Sequence, residues 1–202
     1  MNKKDQNKHF FEKWSKTYDW APFQFWMRHF QLPALIEIDV SQKGKLLDIS
    51  CGTGEFLKQL EHNDVHRNLQ VYGLDLSPKM LKKAKNKLSS KVNLLEGDVH
   101  QLPFKNNTFD YAISTEAFHH YGNQLQALQE MVRVTKKDGK VIIVDINFFL
   151  WPIHWLFERF EPGCVKVNNK KEMKILFEQA GLREIRQERS FLFAVMTMGK
   201  KK

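Results

Sequence analysis

"LLDISCGTGEF", residues 46–56, is an apolar run that ends in an acid and passes at once into two glycines one residue apart. Glycine takes positive φ without steric cost and lets another molecule come within contact distance of the backbone. The stretch therefore reads as a strand, a sharp turn and the start of a helix. Gly52 and Gly54 raise the question of what approaches them so closely.

Downstream the same texture repeats. "LQVYGLD", "KVNLLEGD", "FDYAIS" and "GKVIIVDI" follow at intervals of roughly 20–30 residues, and runs this apolar fit strands buried on both faces of a parallel sheet. The segments between them read as helices. Ser77 is placed to cap one, with Pro78 at its first position and Met80, Leu81, Ala84 and Leu88 on one face. Leu125, Leu128 and Val132 mark another. Asn169 and Glu172 have the spacing of a capping box, before Met173, Leu176, Phe177 and Ala180, and Gly181 is a fitting terminator. "LREIRQERSFLFAVMTM" supplies two more strands, joined closely enough near Ser190 to be antiparallel. The sum is an α/β fold, a doubly wound sheet of seven strands, mostly parallel, with an antiparallel C-terminal hairpin. Residues 1–44 read as an aromatic helical cap, with Phe11, Trp14 and Tyr18 at helical spacing and Pro22 opening a helix that holds Trp26 and Phe30. Residues 45–202 read as the ligand-binding unit.

Composition bounds the function. The chain has 202 residues, 42% of them hydrophobic, enough for one packed α/β domain. Its two cysteines, Cys51 and Cys164, give neither a disulfide framework nor a metal-ligand spacing, so no metal and a cytoplasmic home are expected. The N-terminus has no apolar core of signal-peptide type, and no stretch approaches the roughly 18–20 apolar residues of a membrane span. The net charge of +9 favours an anionic partner without choosing among membrane, nucleic acid and an acidic substrate.

In doubly wound sheets ligands sit at the carboxyl ends of the strands, where strand order reverses. Asp75 ends the second strand about 20 residues after Gly54, where a carboxylate can accept both hydroxyls of a ribose. Asp98 ends the third and could accept a hydrogen bond from an exocyclic amine such as that of adenine. A dinucleotide fingerprint needs a third glycine at position 57, and Leu57 stands there. The pocket so outlined suits a ribose and an adenine without phosphates.

These motifs resemble the class I S-adenosylmethionine-dependent methyltransferases, and within them the small-molecule branch that includes the ubiquinone and menaquinone biosynthesis enzymes. "LLDISCGTGEF" is similar to their glycine-rich first motif, "VYGLDLSPKML" to the second-strand motif, and "GDVHQLPFKNNTFDYAIS" to the stretch with the adenine contact and fourth strand. "KWSKTYDWAP" is similar to the segment that folds over the cofactor. Ser50 departs from the family's usual glycine, and Lys137-Asp138 replace a usual Pro-Gly. The resemblance implies S-adenosylmethionine as cofactor. It implies that Asp48, Ser50, Gly52 and Gly54 line its methionine part and that Asp75 holds the ribose. Leu76 and Met80 would pack near the adenine, Asp98 and the Val99 backbone read its edge, the Ser114 carbonyl meets the amino group, and Tyr18 closes the pocket.

Methyl transfer from a sulfonium asks for alignment, exclusion of water and, where the acceptor carries a proton, a base. "STEAFHHYGN" follows the fourth strand; His119 and His120 titrate near neutrality and are candidate bases, beside loop packing as the plainer role. Glu116 is a candidate for orienting the acceptor. "NFFLWPIHWLFERFEPG", residues 147–163, has too many rings for an ordinary surface loop. Trp151 and Trp155 are read either as core or as a lid over a small apolar or aromatic acceptor, with Arg159 and Lys166 suited to peripheral contact with a membrane. Nucleic acid is disfavoured: the lysines from Lys79 to Lys91 read as a solvated helix face, and the tail "GKKK" is expected to lie outside the ordered fold. The other readings open at this point are a non-catalytic binding module and a methyltransferase acting on RNA.

Overall fold

The computed structural model of the chain describes residues 21–63, 65–148, 151–161, 163–190 and 193–202. Phe11, Trp14 and Tyr18, expected at helical spacing in the cap, lie outside them, as do the side chains of Trp26 and Trp151. The helices are α1 (Ala21–Ile36), α2 (Glu55–His62), α3 (Pro78–Lys87), α4 (Gln124–Val134), α5 (Trp151–Phe160) and α6 (Lys170–Gln179). The strands are β1 (Gly44–Ile49), β2 (Leu69–Asp75), β3 (Asn93–Glu96), β4 (Phe109–Thr115), β5 (Thr135–Ile146), β6 (Leu182–Ser190) and β7 (Ala194–Lys201).

The strands form one sheet in the order β3-β2-β1-β4-β5-β7-β6. β1 pairs in parallel with both β2 and β4, so strand order reverses beside β1. β7 is antiparallel to β5 and β6, which makes the C-terminal hairpin. Adjacent residues of one strand feed opposite faces of the sheet. Leu47 and Ile49 join a core with Phe109, Leu128, Met131 and Phe177, whereas Leu46 joins Phe56, Leu60, Ile113 and Val144 on the other side. Burial on both faces is what the apolar runs required.

Local signals place the helices. The Ser77 hydroxyl accepts the Met80 N–H at the start of α3, and Asn169 and Glu172 form both halves of the capping box on α6. α4 buries Ala127, Leu128, Met131 and Val134; Leu125 and Val132 are only half-buried, because the Asn123 cap starts the helix at Gln124 and sets a different face inward. The expectation for "GKKK" is corrected. Gly199, Lys200 and Lys201 belong to β7, and Lys201 Nζ donates to Asn107 Oδ1, the Arg133 carbonyl and the Thr135 carbonyl at 2.8, 3.2 and 2.8 Å. Lys79, Lys82 and Lys85 are exposed on α3, whereas the half-buried Lys87 donates from its ammonium to Thr53 Oγ1 at 3.0 Å and pairs with Glu55 at 3.3 Å.

Candidate active site

Between β1 and α2 the backbone turns sharply through Ser50 (φ 60°), Gly52 (φ 54°) and Gly54 (φ 80°), all in the left-handed region. The two glycines meet different demands. A Cβ on Gly54 would lie 2.8 Å from Leu88 Cδ1 and 3.3 Å from Ala84 Cβ, so α3 comes close there. A Cβ on Gly52 would meet no described atom within 4 Å. No described residue crowds Gly52, which sits at the strand-end edge where a ligand would lie. Leu57 is accommodated because the facing strand residue is Gly73, where an added Cβ would come 2.8 Å from Leu57 Cδ1.

The acids that the sequence singles out gather on that edge. Asp75 Oδ2 accepts the Gly52 N–H and Oδ1 accepts the Ser77 N–H, both at 2.8 Å, which latches the glycine turn to the end of β2. Burial pushes the Asp75 carboxyl up to about 6, against the pull of those two bonds. Asp48 is buried, and neither carboxylate oxygen has a partner among the described residues. Burial, then the nearby Asp75, hold its carboxyl well above the usual range. One strand further, Asp98 Oδ1 accepts the His100 N–H at 2.9 Å and lies 2.8 Å from His100 Nδ1. Val99 and Met80 are buried beside this edge and Leu76 is half-buried.

Ser50 and Ser114 are tied by a residue that the sequence reading missed. The Tyr121 hydroxyl lies 2.9 Å from Oγ of each, joining the first turn to the end of β4. Only a tyrosine directly after the two histidines could have signalled it. Also missed is Glu55, buried at the start of α2, which pairs with Arg28 of α1 at 2.5 Å and with Lys87 of α3.

The loop after β4 is strained and polar. Glu116 has φ 57°, and its Oε1 is buried without a partner among the described residues. Burial and Asp145 raise its carboxyl well above normal. His119 and His120 form a buried 3₁₀ turn with ring centroids 4.0 Å apart. His119 Nδ1 lies 2.6 Å from Asp145 Oδ1 on β5, and Asp145 Oδ2 is buried and unpartnered among the described residues. Burial, then His119, press His120 down to about 3 against a hydrogen bond to the Gly163 backbone, so its ring is neutral.

The segment after β5 meets this turn through Phe157 and not through Trp155. Phe157 lies edge-on to His119 at 5.9 Å, and Phe148 packs on Phe157 at 5.2 Å and Phe193 at 5.6 Å. Trp155 points away and is 56% exposed, which removes the core reading for that residue.

A protein-family model described as a methyltransferase domain matches residues 47–143, from β1 into β5. The demethylmenaquinone methyltransferase of Bacillus mycoides is 31% identical over 80% of this chain and 78% of its own length. The chain belongs to the S-adenosylmethionine-dependent methyltransferases. Solved structures share the methyltransferase fold at lower identity. A methyltransferase of Thermotoga maritima superposes with a TM-score of 0.78 at 20% identity, covering 96% of this chain and 99% of that one. The methyltransferase in complex with the Haloferax volcanii activator Trm112 also gives 0.78 at 20% identity, covering 94% and 96%. The methyltransferase's cofactor is S-adenosylmethionine, and the residues fit it. The cofactor brings two cationic groups, and Asp48 is a buried carboxyl group whose oxygens have no partner among the described residues. No helix among the described residues is long and apolar enough to cross a membrane.

Proposed function

We infer that this methyltransferase acts on a small apolar, aromatic acceptor that carries a hydroxyl or similar hydrogen-bond donor. The observation that carries the reading is a pair of buried oxygens without a partner among the described residues, Glu116 Oε1 and Asp145 Oδ2, in a region where Phe157, packed on Phe148, meets the His119 ring that Asp145 holds. Buried acceptors of hydrogen bonds need donors, and an aromatic ring bearing a hydroxyl satisfies both features at once. The similar Bacillus mycoides protein is named for a quinone acceptor, which supports a quinol-like ring here.

When bound, S-adenosylmethionine supplies a methyl group already activated by its sulfonium. What remains for the chain is to hold, orient and exclude water. Asp48 and the backbone at Gly52 hold the methionine end. Asp75 keeps a lone pair on each oxygen after accepting the Gly52 and Ser77 N–H groups, and those lone pairs take the ribose hydroxyls. Leu76 and Met80 flank the adenine, Asp98 and the Val99 backbone read its edge, and the Ser114 carbonyl meets the amino group. Glu116 and Asp145 orient the acceptor. Residues 1–44, with α1 inside them, serve as a cap on the unit formed by 45–202. The outer face of α5 exposes Ile153, Trp155, Leu156 and Phe160 beside Arg159, a face suited to taking up an apolar acceptor at a membrane surface.

The test is turnover with S-adenosylmethionine and a panel of acceptors, read as S-adenosylhomocysteine released. A reduced naphthoquinone with a short isoprenoid tail is expected to be methylated. Turnover of RNA or of a polar amine, with no aromatic hydroxyl compound accepted, would overturn the reading.

A further inference from the structure

His119, His120 and Glu161 each offer one ligand atom, and the three atoms lie within 4.8 Å of one another. Two come from the turn after β4 and the third from the end of α5, so distant parts of the chain converge. Their approach is fixed by backbone: the N–H groups of Val165 and Lys166 both donate to the His119 carbonyl, at 2.8 and 3.2 Å. Thus the segment carrying Glu161 is laced to the turn carrying the histidines. Asp145 sets the His119 ring from behind through Nδ1, leaving Nε2 for a ligand. A carboxylate on the far nitrogen is the arrangement that orients metal-bound imidazoles and raises their basicity. Both rings are buried.

The plain alternative is a packed histidine pair beside Phe157. Packing explains the close, tilted rings, but it does not explain why a half-buried carboxylate joins two imidazoles at ligand spacing. We propose that His119, His120 and Glu161 form a site for a borderline divalent transition-metal ion, with Asp145 as the positioning residue for His119. Two nitrogens and one carboxylate suit Zn²⁺ or Mn²⁺ better than Mg²⁺ or Ca²⁺, which prefer all-oxygen shells. Three protein ligands leave coordination open. On the acceptor reading given above, an acceptor oxygen would take an open position, where the ion would ease the loss of its proton to solvent water, in place of the general-base role expected of the histidines. The metal site itself does not rest on that reading.

The experiment uses full-length protein stripped with chelator, titrated with Zn²⁺ by calorimetry and with Mn²⁺ by electron paramagnetic resonance. S-adenosylhomocysteine affinity serves as the check that each variant is folded. The wild type is expected to take up one Zn²⁺ per chain. Glu161→Gln and His120→Ala should lower that affinity about tenfold or more, and Asp145→Asn by roughly ten- to a hundredfold, with S-adenosylhomocysteine affinity little changed in Glu161→Gln. No stoichiometric uptake by the wild type, or uptake undiminished in Glu161→Gln, overturns the proposal, and either result leaves the cofactor site and the acceptor test untouched.

Discussion

The Tyr121 hydroxyl lies 2.9 Å from Oγ of Ser50, a serine held at φ 60° where the family commonly has glycine. The same hydroxyl bonds Ser114, so one phenol ties the glycine turn to the end of β4. Tyr121→Phe leaves two hydroxyls short of a partner, which costs about 1–3 kcal/mol where they are buried. At roughly 2–4 °C per kcal/mol for a chain of this size, the melting temperature should fall by several degrees. S-adenosylmethionine affinity should fall several-fold. Calorimetry and thermal melts check both, and an unchanged affinity would remove Tyr121 from the support of the site.

Cofactor affinity should depend on pH through Asp75. Its carboxyl is raised to about 6 by burial, with Asp48 and Cys51 as neighbours that are themselves pushed up. Between the ordinary carboxylate range and pH 6 the folded chain holds a proton that the unfolded chain has released, so the stability of the cofactor-free protein falls as pH rises through that window. Ribose hydroxyls donate to the ionised form, so binding expels the proton. Affinity should therefore weaken below about pH 6, by up to about tenfold per pH unit. Calorimetry at pH 5 in buffers of different ionisation enthalpy should show proton release, and none at pH 8.

Lys201→Ala should destabilise the fold without touching the site. Its ammonium donates to the Asn107 side chain just before β4 and to two backbone oxygens at the junction of α4 and β5. Because the group is only half-buried, the loss should be about 1–2 kcal/mol. The expected result is a melting temperature lowered by a few degrees with S-adenosylmethionine affinity unchanged.

Trp155→Ser tests the outer face of α5. An exposed ring contributes little to the core, so the melting temperature should stay within about 1 °C. If this face meets a membrane, the apparent KM for a tailed naphthoquinol should rise when it is presented in anionic vesicles and stay constant for a tailless one in buffer. Equal effects in both formats would place Trp155 at the acceptor itself.

The parallel strands, the caps at Ser77 and Asn169 and the strand-end acids were legible because each rests on local sequence: apolar runs, capping residues, an acid at a strand's end. The hairpin was legible from its spacing. Lys201 was not, because the oxygens that hold it, on Asn107, Arg133 and Thr135, lie far away along the chain. The two departures from the family pattern, Ser50 and Asp138, both stand in left-handed conformations, at φ 60° and 62°. Serine and aspartate therefore occupy places where glycine would be easiest, and only the backbone reveals it. The pairing of His119 with Asp145, and the approach of Glu161, join residues from separate elements; no spacing along the chain announces them. The aromatic segment after β5 was legible as unusual, but which rings turn inward depends on the seating of α5, and Phe157 rather than Trp155 faces the histidine turn.

The central claim is that the cofactor lies against the backbone at Gly52, while Gly54 is required by the neighbouring helix. The direct test is calorimetric titration of S-adenosylmethionine into Gly52→Ala, with Gly54→Ala as the control. Both variants carry the strain of a side chain at positive φ, about 1–2 kcal/mol. Only Gly54→Ala also presses on Leu88 and Ala84. The account predicts that Gly52→Ala binds S-adenosylmethionine at least about tenfold more weakly, a loss of some 1.4 kcal/mol, while melting at a higher temperature than Gly54→Ala. Wild-type affinity in Gly52→Ala would contradict it, because the methyl group would then occupy space that the cofactor does not use.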